Sequence, residues 1–534
     1  MGQLELSAKE ALEIARKWKR DPNPCSLAAE FDEVFFGTEN IEVLLGALSA
    51  EYSTPDSQYD LLSLLGSSKA LELKDCGGIA AVGSYYYALS GGGIESTLAS
   101  TSHALSSLGI RSIVIANALD GSPSPDCLSL DLASLSTLPD LERSIARFQR
   151  LRSALVQSRT DALIHHAWFD TNLLWDLLLC KKLGIRFLLY VHGVFSHFLC
   201  VSDGDSHAWN DGRLFASVPA LCKYADGVIC GAQPSALFFS FFNHNAVFIP
   251  NATPASLSKV EKRLSPPSED VLLWVGRFDI FKRPEEALRI AKLVFDSRPN
   301  ARLVYVGASG YETYEEELCE TARELGIADR VQLCGYQDDT APYYQEASVL
   351  LLTTEVEGFC MVLLEASAFG VPAVAYELPY LPFADNKGIS WVPQGNAELA
   401  AKAVVELLES KEAYMERSGQ MRSFFDEYHA TSSQREWASL LDRVEHPDEK
   451  ANPSPKASEM MWDTLFRHYL TGYQRTAARR EELLQQQIRQ QEQREEALAA
   501  TVRQEYESSP SYRIGRILTA APRKLRDLLT RHNA

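Results

Sequence analysis

Short apolar runs alternate with amphipathic stretches from about residue 77 onward. IAAVGSYYY, RSIVIAN, DALIHH, RFLLYVHG, DGVICG and AVFIP each read as a strand entering a loop, and segments of helical period such as ESTLASTSHALSSLG follow most of them. Strand, loop and helix in that order make parallel βαβ units. A second series starts near residue 271 with VLLWVGR, ARLVYVG, RVQLCG, SVLLLTT and PAVAYE. Ten or more parallel strands are unusually many for one open sheet, so the pattern predicts two Rossmann-like, doubly wound α/β domains in tandem. Their expected bounds are 76–255 and 256–430. The joint falls in IPNATPASLSKVEKRLSPPSED, where Pro and Ser accumulate, and a returning helix and linker follow over 431–450.

The flanks follow other patterns. Residues 1–75 predict a helical extension: Ser7 and Glu10 form an S-x-x-E capping box before ALEIARKW, while Thr54, Pro55 and Gly66 frame a second helix. Beyond the linker ANPSPKASEM, residues 476–506 keep apolar side chains at four of six heptad positions from Leu484 to Val502. That pattern fits a short coiled coil that self-associates, or a single solvated helix. Residues 511–534 set Arg513, Arg516, Arg523, Lys524, Arg526 and Arg531 against one acid, Asp527. A basic amphipathic helix of this kind suits an anionic membrane surface, or the protein's own acidic surface.

Composition narrows the class. At 534 residues a prior of about 150 residues per domain gives three or four domains, and 46% hydrophobic with 23% charged residues excludes a mainly disordered or fibrous chain. Fifty-two Lys plus Arg against 71 Asp plus Glu leave a net charge of -19, which repels nucleic acid from most of the surface. Ten scattered cysteines without a C-x-x-C pair read as thiols in a reducing compartment. The first segment lacks the apolar core of a signal peptide, and no window approaches about 18 apolar residues. The expected location is cytoplasmic, peripheral at the inner face of the membrane.

The chemistry concentrates in EVEGFCMVLLEASAFGVPAVA, residues 355–375. A helix starting near Phe359 would aim unpaired amides at the preceding loop and make an anion site, with Gly358 permitting close backbone approach. Glu365 stands eight residues past Glu357, about 12 Å along a helix, a span comparable with a nucleoside diphosphate sugar. The complement is VGRFDIFKRPEE, residues 275–286, which leaves a strand at Gly276 and presents Arg277 and Lys282 where doubly wound sheets bind ligands. Two cations beside a diphosphate would stabilise charge growing on a leaving group.

EGFCMVLLEASAFGVP resembles the E-x7-E signature of family 4 (group 1) retaining glycosyltransferases, enzymes of GT-B architecture, and GRFDIFKRPEEAL is similar to their phosphate-binding Arg/Lys segment. The resemblance runs from about 80 to 445 and includes GGGIESTLASTSHALSSLGI, DALIHHAWFDTNLL and LLYVHG. It implies a metal-independent, cofactor-free hexosyl transfer from a nucleotide-diphosphate sugar to a lipid-linked or polysaccharide acceptor in cell-surface glycan synthesis. Arg277 and Lys282 then hold the diphosphate, and Glu357 with the backbone of Gly358, Phe359, Cys360 and Met361 holds sugar and phosphates. Glu365 takes the ribose, Gly276 opens the pocket, Val331 to Gly335 and Tyr336 wall the base, and His192 lies beside the reacting sugar. Gly92, Gly93, Glu95 and His166 fall on the acceptor side. The family commonly has glycine where this chain has Cys360.

Other readings of single motifs are bland. Asp203-Gly-Asp205 has the D-x-D form of a metal site but sits in a polar loop without supporting carboxylates, so no metal is expected. His165 and His166 end an apolar run, and at most one of them is expected to face the cleft. Gly307 to Gly310 lacks G-x-G-x-x-G, against a dinucleotide site. Since the two glutamates are assigned to sugar and ribose, no carboxylate is left as nucleophile, and front-face substitution with retention is expected. The alternatives are a catalytically inactive GT-B scaffold of a polysaccharide-assembly complex and a sugar phosphorylase. The second lacks a pyridoxal phosphate lysine segment.

Overall fold

A computed structural model describes residues 6–20, 41–51, 78–88, 93–118, 126–167, 172–194, 222, 225–254, 256–279, 281–308, 314–430, 434–446, 512, 520 and 522. The helix expected around Thr54 to Gly66, Gly92, the Asp203/Asp205 loop, segment 476–506 and nearly all of 511–534 lie outside the described residues. The chain divides into two compact units, residues 1–199 with 206–468 and residues 200–205 with 469–534. Both sheets and every contact below belong to the first unit.

The first sheet contains β1 (Ala81–Ala88), β2 (Arg111–Ala118), β3 (Cys127–Ser129), β4 (Ala162–His165), β5 (Arg186–Val191), β6 (Gly227–Cys230) and β7 (Ala246–Phe248) in the order β3-β2-β1-β4-β5-β6-β7. The second contains β8 (Val271–Val275), β9 (Arg302–Val306), β10 (Val331–Leu333), β11 (Val349–Leu352), β12 (Ala373–Tyr376) and β13 (Ile389–Val392) in the order β10-β9-β8-β11-β12-β13. Every pair is parallel. All eleven expected strands are present. The two extra ones, β3 and β13, are short edge strands whose three and four residues give no long apolar run. In each sheet the chain reverses direction of winding beside the first strand, between β1 and β4 and between β8 and β11, and such switch points bind ligands at the carboxyl ends.

Strands buried on both faces explain the near-continuous apolar runs. In the second domain Leu272, Leu303 and Tyr305 pack against Leu288, Ala291 and Val404 from the Pro284–Ser297 and Ala397–Glu409 helices. In the first, Val82, Ile164, Leu188 and Tyr190 meet Trp437, Leu440, Leu441 and Val444 of the Gln434–Glu445 helix, so the chain returns to its first domain after building the second. Each such buried Leu or Val is worth about 1.5–3 kcal/mol, which anchors the return. At the N-terminus the capping box forms: the Ser7 amide donates to Glu10 at 2.9 Å and the Glu10 amide to Ser7 Oγ at 3.3 Å, at the head of the Ala8–Arg20 helix. Among the described residues no helix is long and apolar enough to cross a membrane.

Candidate active site

The loops at the carboxyl ends of the second sheet bring Lys282 and Glu357 together. Lys282 Nζ donates to Glu357 Oε1 at 2.5 Å, with the two side chains only 28% and 10% exposed. Burial alone would lower the ammonium's pKa, but Glu357, with help from the Cys360 and Asp279 sides, more than offsets it and holds Lys282 above its ordinary value. The backbone under this pair is clamped. Thr353, just past β11, shares its hydroxyl between the carbonyls of Lys282 and Arg283 at 2.9 Å each, and itself accepts from Trp274 Nε1 at 2.9 Å. Thr354 donates to the Phe281 carbonyl at 3.1 Å, and the Glu355 amide to the same oxygen at 2.8 Å. Arg277 is looser: 67% exposed, it pairs with Asp279 at 2.8 Å. Asp279 also accepts from the Phe281 amide at 2.8 Å, so one carboxylate organises the loop between the two cations.

The helix of the motif begins at Met361, two residues later than expected, because Cys360 adopts the left-handed conformation with φ 75°. Only the stretch from Met361 onward is helical, so the 12 Å rise expected between Glu357 and Glu365 does not apply. That φ is the physical reason a glycine would be at ease at Cys360. A side chain there costs about 1–2 kcal/mol, and burial, then Glu357, push the thiol's pKa well up, so it stays neutral. The Glu357 amide is already occupied, donating to Tyr380 Oη at 3.1 Å. Phe359 contributes backbone only, since its ring is buried against Phe383 and Tyr428 at 5.5 and 5.9 Å. Met361 accepts through its sulfur from Asn251 Nδ2 at 3.6 Å. Glu365 accepts from Tyr344 Oη at 2.7 Å, yet burial outweighs that bond and lifts its pKa to about 7.

The flanking loops complete this side. Gly276 follows β8, and its carbonyl lies where a Cβ on Gly307 would come within 1.9 Å; with φ 138° at Gly307, only glycine fits. The Gly307 amide donates to the Gly335 carbonyl at 2.8 Å, which joins the β9 and β10 loops into one wall from Val331 through Gly335 to Tyr336, whose side chain is half exposed.

In the first domain the corresponding strand ends carry rings. His192 follows β5, stacks on Tyr190 at 4.2 Å, and meets His166 through Nε2 to Nδ1 at 2.9 Å. Burial drives the pKa of His192 down to about 3, and burial with the two neighbouring imidazoles drives His166 down too. His166 is fully buried. The acceptor-side position expected for it is therefore corrected: it backs His192 and offers an acceptor no surface. His165 is buried as well, giving its Nε2 proton to Asp176 at 3.0 Å, while Arg147 grips both Asp176 oxygens at 2.7 Å. Gly93 and Glu95 open the Gly93–Ser107 helix. Glu95 and Arg277 both act electrostatically on the Tyr86 phenol at the end of β1, which burial pushes up to about 12, and Glu95 also acts on Tyr336. The loops of the two domains therefore face one another.

A close approach falls at Gly358. A Cβ there would lie 1.7 Å from the His192 carbonyl oxygen, so the two domains meet backbone to backbone beside the Lys282–Glu357 pair. Asn251 in the joint ties the same region: Tyr190 Oη donates to its Oδ1 at 3.0 Å, Tyr428 Oη to its carbonyl at 2.7 Å, and its Nδ2 reaches Met361. Sequence reading missed Asn251, Thr353, Tyr344 and Tyr380. A polar residue between two prolines in the joint was the one local hint for Asn251.

Comparison with known proteins gives the family. The description Glycosyltransferase Family 4 matches residues 91–251, and Glycosyl transferases group 1 matches residues 258–423, one for each half of the cleft. The chain belongs to the group 1, family 4 glycosyltransferases and has the GT-B fold. An uncharacterized glycosyltransferase of Haemophilus influenzae is 28% identical over 303 residues, 55% of this chain and 79% of that protein. A D-inositol 3-phosphate glycosyltransferase of Segniliparus rotundus is 34% identical over 145 residues, 25% of this chain and only 32% of that protein. Among solved structures, sucrose-phosphate synthase from Thermosynechococcus elongatus shares the fold with a TM-score of 0.56 at 18% identity, over 69% of this chain and 100% of that one.

Proposed function

We propose that this glycosyltransferase moves a sugar from a nucleotide-diphosphate sugar to a hydroxyl of a lipid-linked or polysaccharide acceptor, with retention of configuration and without a metal. The observation that carries the reading is the Lys282–Glu357 pair, 2.5 Å apart and walled by the Gly358–His192 approach. Lys282 and Arg277 supply positive charge for a diphosphate, and the helix starting at Met361 adds unpaired amides. Glu357 accepts from sugar hydroxyls and Glu365 from a ribose diol. The bond from the anomeric carbon to the diphosphate oxygen breaks with its electron pair leaving on phosphate. The acceptor oxygen attacks the same face, and its proton passes to a departing phosphate oxygen. His192, neutral at pH 7, acts as a hydrogen-bond partner rather than a base. The first domain takes the acceptor near Glu95, and the basic segment 511–534 holds the enzyme at an anionic membrane face.

The test is a thermal-shift screen of UDP-, GDP-, ADP- and CMP-sugars in the presence of EDTA. Sugar nucleotides of one base are expected to raise the melting temperature, because binding adds about 2.7 kcal/mol of stability at a hundred times Kd. The anomeric proton coupling of the product should match that of the donor. No shift with any of them, or an inverted product, overturns the reading.

A further inference from the structure

Resting on the reading that His192 borders the donor sugar, we infer that His166 is a positioning residue: it donates its Nδ1 proton to His192 Nε2 and so fixes His192 as the Nδ1–H tautomer, a donor facing the cleft. Two observations and one general rule lead there. His166 Nδ1 and His192 Nε2 lie 2.9 Å apart, and one proton must sit between them because two lone pairs would repel. His166 Nε2, at the other side of its ring, is buried and meets no hydrogen-bond partner among the described residues. A buried N–H without an acceptor costs more than a bare lone pair, so the His166 proton resides on Nδ1.

The neighbouring histidine obeys the same rule. Asp176, kept ionised by Arg147, can only accept, so His165 carries its proton on Nε2, and its buried Nδ1 is likewise left as a lone pair. With its Nε2 engaged, His192 must hold its own proton on Nδ1. Its ring is only partly buried, and Nδ1 meets no other described residue. A proton-bearing Nδ1 can donate to a sugar oxygen but cannot take a proton from an acceptor hydroxyl. The arrangement thereby removes His192 as a general base and leaves the acceptor's proton to the departing phosphate, as front-face substitution requires. His166 belongs to neither motif glutamate nor cation, so this assignment adds a residue the cleft chemistry alone would not single out.

The experiment is long-range proton–nitrogen correlation on full-length protein labelled with 15N-histidine, with His192 assigned from the loss of its signals in His192→Asn. The expected wild-type pattern is a pyrrole-type Nδ1 and a pyridine-type Nε2 at His192, unchanged between about pH 6 and 8. An Nε2–H tautomer or a cation at His192 overturns the inference without any variant having to fold. His166→Asn, whose amide can still donate, should keep the wild-type pattern, and His166→Leu should shift His192 to Nε2–H. A His166→Leu protein with His192 still in the Nδ1–H form also overturns it. Sugar-nucleotide binding by wild-type protein, scored separately by thermal shift, tells failure of this tautomer from failure of the donor-site reading.

Discussion

The two sheet domains are wound in the same order through their first six strands yet furnish their strand ends with opposite chemistry. The first presents neutral rings, His192 stacked on Tyr190 and His166 tilted against it. The second presents ions, Lys282 against Glu357 and Arg277 against Asp279, on a backbone tied by Thr353 and Thr354. The usual assignment of pH response is inverted as a result. Histidine is ordinarily the group that titrates near neutrality, but here His192 is driven to about 3 while Glu365 is lifted to about 7. A shared topology thus sets where the strand-end groups sit and leaves which half carries charge to a few side chains.

The strongest test of the contrast is to remove one ion from each pair of the second domain. Lys282→Ala leaves the Glu357 carboxylate largely buried without its partner, so a stability loss of about 1–3 kcal/mol is expected, together with a fall in transfer rate of about 10²–10³. Arg277→Ala touches a side chain that is 67% exposed. Its stability change is expected within about 0.5 kcal/mol, with a transfer loss of about tenfold. Urea unfolding and initial-rate assays of the two variants check both numbers. Equal stability losses would mean that the two ion pairs do not differ as their burial indicates.

A smaller effect concerns pH. An exposed glutamate releases its proton near 4.5, whereas folded Glu365 keeps it to about 7. Between those values the folded protein binds the extra proton, so this residue's contribution makes stability fall as pH rises through that window, the loss being complete above about 7. Nucleotide affinity moves the other way, because only the ionised carboxylate can accept from both hydroxyls of a ribose diol. Affinity for the nucleotide selected by the screen should rise about tenfold from pH 6 to pH 8. Glu365→Gln should flatten that slope, and His192→Asn should leave it in place. A slope abolished by the histidine variant instead would return the pH response to the first domain.

The difference between the halves also governs what could be read from the chain. Gly276, Arg277, Lys282, Glu357 and Glu365 lie in two contiguous segments, each following an apolar strand, and strand-end position was enough to bring Lys282 and Glu357 together. The groups that orient them were not legible. Tyr344 reaches Glu365, Tyr380 caps the Glu357 amide, and Thr353 clamps Lys282 across separations of 21, 23 and 71 residues. Such partners depend on loop geometry that no local period encodes. The His166–His192 contact likewise follows from pairing β4 beside β5, which sets the two strand ends together. The start of the motif helix was misplaced for a local reason: GFCM offers no Ser, Thr, Asp or Asn cap to mark a boundary, and the chain turns through a left-handed cysteine instead.

That cysteine supplies the smallest and sharpest test. Among the described residues four non-glycine positions have left-handed φ, and two of them, Arg283 at 49° and Cys360 at 75°, border the Lys282–Glu357 pair. The other two, Asp131 and Arg159, lie in the first domain away from its histidines. In the second domain the strain therefore sits beside the ions, and Cys360→Gly should relieve it. After allowing for the extra freedom glycine gains in the unfolded chain and for the sulfur contacts it also gives up, a net stabilisation of up to about 0.5 kcal/mol is expected. Cys360→Ala keeps the strained backbone and loses buried sulfur contacts, so it should fall below wild type. The order glycine, cysteine, alanine in melting temperature would locate the cost in the backbone. The order cysteine, alanine, glycine would show that the thiol's packing outweighs the strained φ, and the ionic half would then owe its geometry to side-chain contacts as the ring-lined half does.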